Sequence, residues 1–512
     1  MSSTTLKTVL SLALAATVAA LPPSSPKSLG WGYPGKEFTD CLKAKNVTFR
    51  VQSDPEYAAL ALTYNERLQY KPAVIGTPFS VQEVIDSVKC AAKCKIPIQP
   101  KSGGHSYASY STGGRDGIFM IFLENFHDVK LDTTTNIAAV GGGVRLGNLA
   151  QGIYDQGKRA LGHGTCPGVG IGGHFTHGGY GYSSRALGLA IDQIVALDVV
   201  LANGTAVHAS ETSHPDVYYA MRGAADAFGI VTTFYLQTSP APEEVVNFSY
   251  SFPNALASVG SAVSALEGLQ AFSLNASVVD GRLGVGLYVD SGPAFLVRGT
   301  WFGSLADFNA SIAPALLSAI PSAPASITVD RTDWITSLIQ LGGAPNLTVP
   351  LYGYNARDNF FAKSVTTTMA FPDNALRSFF QYIVDKGLNG KAPVSWFSII
   401  NLYGGPGSVI PTHNENFAAY SGHDDLWVIQ NYGFVPQNQI YPDAGIGFIN
   451  GLNDAMTDKL TEFGAYLNYV DPTYSAAESY KLYYGAELYN RLRKLKAAID
   501  PLNLFSNPQS IR

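Results

Sequence analysis

Residue types able to do chemistry are concentrated in two stretches of the chain. Pro100-Lys-Ser-Gly-Gly-His-Ser-Tyr107 sets a histidine directly behind a glycine pair. Gly162-His-Gly-Thr-Cys-Pro-Gly-Val-Gly-Ile-Gly-Gly-His-Phe-Thr-His-Gly-Gly-Tyr-Gly-Tyr182 carries nine glycines in twenty-one residues, together with Cys166, His174 and His177. Glycine at that density lets backbone approach a ligand and turn its N–H groups toward anions, as a pyrophosphate requires. The competing reading is a tight, buried cluster of turns. A third segment, Val140-Gly-Gly-Gly-Val-Arg-Leu-Gly-Asn148, tips the balance, because ordering three such loops costs entropy that wrapping a ligand offsets. Gly168-Val-Gly-Ile-Gly-Gly173 spells G-x-G-x-x-G, but Cys166-Pro167 rather than a strand precedes it, so the Rossmann context is missing. His174-x-x-His177 has no third ligand at a sensible spacing, and no metal site is expected. The sequence contains no HExxH, GxSxG or CxxC, so metalloprotease, serine-hydrolase and zinc-ribbon readings lack their residues.

The elements that must position these loops follow from the flanking text. Ala73-Val-Ile75, a helical run from Thr77 to Ala91 and Ile96-Pro-Ile98 form a strand–helix–strand unit leading into the first loop. Further strands are expected at 117–122, 137–140, 194–201 and 229–236, so residues 38 to 240 read as one α+β region. Ser239-Pro-Ala-Pro242 marks a linker. Beyond it, helical windows at 254–271 and 305–320 and strand-like runs at 283–289 and 396–400 predict a second α+β domain over 241–465, with a sheet large enough to cover a site. Residues 466–512 are helical and are expected to return to the first domain.

Composition bounds the partners. The chain has 512 residues, 46% apolar and 14% charged, with 34 Lys+Arg against 39 Asp+Glu for a net charge of −5. No basic footprint exists, and nucleic acid is excluded as a partner. The N-terminus reads as a secretory signal peptide over 1–20, one Lys followed by a small-residue apolar run ending Val18-Ala19-Ala20. That run is short for a span and Leu21-Pro22-Pro23 stops any helix, so a soluble, secreted protein without a membrane partner is expected. Sequons at Asn46, Asn203, Asn247, Asn275, Asn309 and Asn346 agree with secretion. In an oxidising compartment the four cysteines should pair. Cys90 and Cys94 lie one helical turn apart, so Cys41 can reach either, and Cys166 stands as the odd one out.

These motifs carry a family resemblance. Ser102-Gly103-Gly104-His105-Ser106-Tyr107, Gly164-Thr-Cys166-Pro-x-Val-Gly170-x-x-Gly173-His174 and Arg222-Gly…Phe228-Gly-Ile230-Val231-Thr232 resemble the berberine-bridge-enzyme-like FAD-linked oxidases, and most of all fungal secreted oligosaccharide oxidases. The likeness ends with Tyr484-Gly485 and Asp500-Pro-x-Asn503-x-Phe505, and it is loose from 240 to 390. It implies an α+β fold: a PCMH-type FAD-binding domain of two α+β subdomains, plus a C-terminal α+β substrate domain with a large antiparallel sheet. It further implies a flavin bound at two points, through a ring nitrogen of His105 and a thioether of Cys166. Ser102, Gly103, Gly104, Ser106, Gly170, Gly173, His174, Gly178, Gly179, Ile230 and Val231 are then the expected cofactor contacts. Cys41 with Cys90 becomes the implied disulfide, with Cys94 a free buried thiol.

An alcohol oxidase removes a hydride from carbon and a proton from the hydroxyl; the flavin takes the first and a side chain must take the second. In the resembling oxidases that side chain is the tyrosine of an Asn-Tyr pair, which is Asn468-Tyr469 here. The family's polarising aspartate lies a few residues after a tryptophan; this chain has Asn401 after Trp396, and an amide positions a phenol but cannot share its proton. Tyr107, Trp396, Tyr403 and Gln430 are the expected substrate contacts. Two functions share this flavin: a secreted oxidase converting the C1 hydroxyl of reducing-end oligosaccharides to a lactone with O2 as acceptor, and an oxidase of fungal secondary metabolism acting on a non-sugar substrate. A monomer is expected in either case. A flavin-free carbohydrate-binding protein is a third reading, which a colourless purified protein would favour.

Overall fold

The computed structural model describes residues 34–414 and 416–512. The expected signal peptide lies outside them. Eighteen strands build the described part: β1 Phe49–Val51, β2 Val74–Gly76, β3 Ile98–Lys101, β4 Phe119–Phe122, β5 Val129–Asp132, β6 Ile137–Gly141, β7 Arg159–Ala160, β8 Ile194–Leu201, β9 Ala206–Ser210, β10 Gly229–Gln237, β11 Ser239–Pro240, β12 Val245–Ser251, β13 Leu283–Asp290, β14 Phe295–Trp301, β15 Ser326–Thr332, β16 Asn359–Thr367, β17 Ser395–Leu402 and β18 Trp427–Val435.

The strand–helix–strand unit forms as its sequence requires. Ser80 caps the helix Val81–Cys94 by accepting from the Glu83 N–H at 3.2 Å, and Lys95 ends it in the left-handed region at φ 55°. The strands on either side both run parallel to β4, in the order β1-β2-β4-β3. Cys41 and Cys90 are joined by a disulfide across the helices Lys36–Ala44 and Val81–Cys94. Cys94 is free and half-buried rather than fully buried, because it sits on the last turn of its helix. A second, antiparallel sheet runs β5-β6-β10-β8-β9, and together the two sheets give the PCMH-type pair of α+β subdomains.

The third sheet is antiparallel with seven strands, β15-β12-β14-β13-β17-β18-β16. β17 shows how it is faced: Trp396, Ser398, Ile400 and Leu402 are buried, while Phe397, Ile399 and Asn401 alternate with them on the other face. The buried face joins a core covered by the helices Val259–Ser273, Asp373–Tyr382 and Asp443–Thr457. The other face looks toward the glycine loops.

The C-terminal segment returns to the first sheet. Lys496 on the helix Gly485–Ile499 is buried with all three ammonium protons used, on Asp500 at 2.7 Å and on the carbonyls of Ala227 and Phe505 at 2.6 and 2.8 Å. Asp500 in turn accepts the N–H groups of Leu504 and Phe505, and the Ile98 N–H donates to Leu504 at 2.8 Å. A buried pair with every partner satisfied avoids the penalty of an orphaned charge. No described helix is long and apolar enough to cross a membrane.

One sequon is corrected. Asn247 is buried on β12, where its amide donates to Ser337 and Gln340 and its carbonyl accepts from Thr300 and Ser337, leaving no room for a glycan. The other five sequon asparagines are exposed.

Candidate active site

The two glycine stretches meet. Gly103 and Gly170 lie so close that a Cβ on either would collide with the backbone nitrogen of the other, and Ser102 accepts the Gly172 N–H at 3.1 Å. Arg145 ties the loops from behind, donating to the carbonyls of Gly103 at 3.0 Å and Gly168 at 2.5 Å, with its guanidinium 4.7 Å over the Tyr354 ring. Above them opens a cavity of about 890 Å³ between the glycine loops and the inward face of the seven-stranded sheet, where Phe397 and Ile399 alternate with polar groups such as Arg298, Asn401 and Gln430.

Ser102, Gly103, Gly104, His105, Ser106 and Tyr107 from the first loop line this cavity, as do Cys166, Gly170, Gly173 and His174 from the second. The His105 ring stacks on Tyr64 at 4.2 Å, and burial, then the nearby Arg145 and Lys101 charges, push its pKa down to about 3, so the imidazole is neutral with a free lone pair. The Cys166 sulfur is exposed toward the cavity, and the surrounding protein raises its thiol pKa. His174 accepts the Gly164 N–H at 3.0 Å and burial takes its pKa down to about 3, which makes it a neutral brace of the cysteine loop.

Opposite these groups stands a cluster of phenols. The Tyr469 hydroxyl lies 3.2 Å from that of Tyr180, to which the Asn401 amide donates at 3.3 Å. The Tyr469 ring stacks on Tyr107 with centroids 5.2 Å apart and meets Tyr466 edge-on at 4.9 Å. Burial, then the neighbouring phenols of Tyr180 and Tyr107, hold the Tyr469 pKa well above the ordinary 10.0. Asn468 anchors the turn Leu467–Tyr469 by donating to the carbonyls of His174 and His177 at 3.2 and 3.0 Å. Gln430 on β18 donates to the Tyr107 hydroxyl at 2.7 Å. Asn401 leans over Gly286, where a Cβ would collide with its Oδ1, and that oxygen is buried without a partner.

Six expected contacts do not line the cavity. Trp396 faces the helices of the core and donates to the Gly387 carbonyl at 2.9 Å, because strand alternation puts it on the face opposite Asn401. Phe397, one residue on, takes the cavity position. Tyr403 lies behind Tyr180, with its hydroxyl 2.9 Å from Tyr420. Gly178 packs on the Tyr420 ring and Gly179 donates its N–H to Tyr466, both with positive φ. Ile230 and Val231 on β10 are buried core residues of the first two sheets. Tyr64, Tyr180, Phe397 and Tyr432 line the cavity without having been singled out by sequence reasoning. Signals existed for three of them: Phe397 shares strand parity with Asn401, Tyr432 shares it with Gln430, and Tyr180 lies within the second glycine stretch.

A family model described as FAD binding domain matches residues 72–210, and one described as Berberine and berberine like matches 465–512. A xylooligosaccharide oxidase of Thermothelomyces thermophilus is 36% identical over 98% of this chain and 99% of its own length. The chain belongs to the berberine-bridge-enzyme-like FAD-linked oxidases. It is also 34% identical to the FAD-linked oxidoreductase dpmaF of Metarhizium anisopliae, over 93% of this chain and 91% of that one. A solved structure described as the 6-S-cysteinyl, 8α-N1-histidyl FAD of glucooligosaccharide oxidase from Acremonium strictum superposes with a TM-score of 0.86 at 31% identity, covering 93% of this chain and 99% of that one. This berberine-bridge-enzyme-like chain is therefore an FAD-dependent oxidoreductase, and its residues fit the cofactor. Gly173 faces open space in which a Cβ would meet nothing within 4 Å, so the loop leaves a cradle beside a neutral imidazole and an accessible thiol.

Proposed function

We propose that the protein is a secreted oligosaccharide oxidase that converts the C1 hydroxyl of a reducing-end sugar to a lactone, with FAD held at both His105 and Cys166 and O2 as acceptor. The observation that carries this is the placement of His105, Cys166 and Tyr469 on one cavity whose far wall is the sheet face bearing Phe397, Asn401, Gln430 and Tyr432. Bound FAD supplies a two-electron acceptor for the substrate carbon. The protein supplies the rest. The neutral His105 ring and the accessible Cys166 sulfur offer the two nucleophiles needed for attachment. Tyr469 takes the hydroxyl proton, Tyr180 and Asn401 orient its phenol, and Phe397 with Tyr432 presents ring faces to a sugar. The names of the Thermothelomyces and Acremonium relatives support a sugar substrate. The protein acts as a monomer.

A second reading is favoured by one observation. Asn401, not a carboxylate, faces Tyr180, and the dpmaF relative is named an oxidoreductase rather than a sugar oxidase. In that reading the same cavity dehydrogenates a non-sugar metabolite. Peroxide release by the purified holoenzyme across xylo-, gluco- and chitooligosaccharides and a set of aromatic alcohols tests the two. Turnover of any oligosaccharide series supports the first; turnover of aromatic alcohols alone refutes it.

A further inference from the structure

The sheet wall of the cavity carries a cation that makes no ion pair among the described residues. Among the described residues, Arg298 on β14 is the one arginine or lysine lining the cavity. Its guanidinium lies 4.5 Å over the Tyr288 ring, and its charge acts against the burial that raises the pKa of Tyr182, which also lines the cavity. Its Nε is buried with no hydrogen-bond partner, and it makes no ion pair. The three carboxylates on the same cavity are committed elsewhere or remote. Asp358 accepts the Tyr432 hydroxyl at 2.6 Å, and Asp226 is held by Asn507 at 2.5 Å and His177 at 3.2 Å. Asp330 is an exposed residue of β15, two strands from β14.

The sheet register fixes where this cation stands relative to the chemistry. Gly286 on β13 is the partner of both Arg298 and Asn401, so the two side chains share a row and a face, separated by a residue with no side chain. Two strand spacings put their Cα atoms roughly 9.5 Å apart. A substrate whose reacting hydroxyl lies beside the Tyr469–Tyr180–Asn401 chain presents to Arg298 a group about one sugar ring along the wall from Asn401. An Nε–H with the adjacent terminal N–H forms the side-on fork that a planar carboxylate fills. A neutral hydroxyl answers only one of those donors and leaves the charge and the buried Nε–H unpaired, which is costly for a buried donor.

We propose that Arg298 is a carboxylate-recognition point, selecting substrates that carry an acid group about one ring from the oxidised hydroxyl, such as oligosaccharides containing a uronic acid. This rests on the oxidase reading above, and the test separates the two. Holoenzyme is assayed on matched acidic and neutral pairs, glucuronosyl-xylose against xylobiose and 4-(hydroxymethyl)benzoate against benzyl alcohol, for wild type, Arg298→Gln and Arg298→Lys. The expected result is a wild-type preference for the acid in one pair, which also tells a uronic acid from an aromatic one. The acid-to-neutral ratio of kcat/KM should fall about ten- to a hundredfold in Arg298→Gln, recover in part in Arg298→Lys, and shrink with added salt. Calorimetric titration of wild-type holoenzyme with both acids runs alongside. Arg298-dependent acid binding without sugar turnover would refute the oligosaccharide reading and keep this one. Equal handling of acid and neutral partners by wild type, or a ratio unmoved by Arg298→Gln, overturns it. If Arg298→Gln fails to fold, the Lys variant and the salt dependence decide.

Discussion

Replacing Tyr469 by Phe separates the chemistry of its phenol from the packing of its ring. The ring is held by Tyr107 at 5.2 Å and Tyr466 at 4.9 Å, and Phe keeps both contacts. What is lost is one hydrogen bond of 3.2 Å to Tyr180, whose hydroxyl keeps the Asn401 amide at 3.3 Å. Such a loss costs about 0.5–1.5 kcal/mol of stability, so melting should fall by no more than about 2–4 °C and FAD content should be unchanged. Loss of a general base lowers rate by about a hundred- to ten-thousandfold, or about 2.7–5.5 kcal/mol of barrier. The two scales do not overlap. Burial keeps the Tyr469 proton on well above pH 10, so in wild type the ionised fraction, and with it the rate, should rise about tenfold per pH unit through the neutral range. The assay is anaerobic single-turnover bleaching of the flavin absorbance with saturating substrate, read against pH. Tyr469→Phe should be slow and lose that slope. A loss of less than about tenfold in an intact flavoprotein, with the slope retained, refutes Tyr469 as the base.

Asn401→Asp should place a carboxylate against Tyr180 and raise single-turnover rates on oligosaccharides at pH 8 by about tenfold or more; no gain on any sugar favours the non-sugar reading. Acid precipitation of wild type should leave all yellow colour in the pellet, Cys166→Ala and His105→Ala should each keep one bond, and the double variant should release FAD to the supernatant. Burial raises the Asp425 carboxyl from 3.8 to about 7, with Asp424 adding to it and a Thr366 hydrogen bond opposing it. Its raised pKa means the folded state holds a proton that the unfolded chain releases, so this group's contribution to stability falls as pH rises from about 4 to about 7 and is level above. Asp425→Asn keeps the shape and should gain up to about 4 kcal/mol at pH 8 relative to pH 4; urea titrations showing the same pH dependence in both proteins would discount the effect.

Legibility in the sequence tracked how many faces an element exposes. The unit of β2, the helix Val81–Cys94 and β3 was readable because β-branched runs flank a helical one, while the Ser80 cap that sets where the helix starts went unread. The histidine and cysteine loops were readable because three glycine-dense segments in one domain favour ligand wrapping over a tight turn cluster. The third sheet was largely hidden, and β16 shows why: all nine residues from Asn359 to Thr367 are buried, since helices cover one face and the cavity region the other. A strand buried on both sides has no alternation to read. Trp396 failed for a different reason. Chemical type drew attention to the indole, while a period of two makes Trp396 and Asn401 incompatible on one face.

The division of labour between the two halves has an energetic consequence. Tyr469 is tied by its neighbour Asn468 to the carbonyls of His174 and His177, hence to the cofactor loop, while Asn401, Arg298 and Gln430 all belong to the sheet. Tyr469, the proposed base, therefore keeps its place relative to His105 and Cys166 when the sheet is altered. Arg298 shares no hydrogen-bond partner with Tyr469, so substitutions at the two should combine nearly additively. Asn401 reaches Tyr469 through Tyr180, and substitutions at that pair should not. In the proposed reading the glycine loops hold the cofactor and the proton acceptor, and the sheet face carries the side chains that would select the substrate.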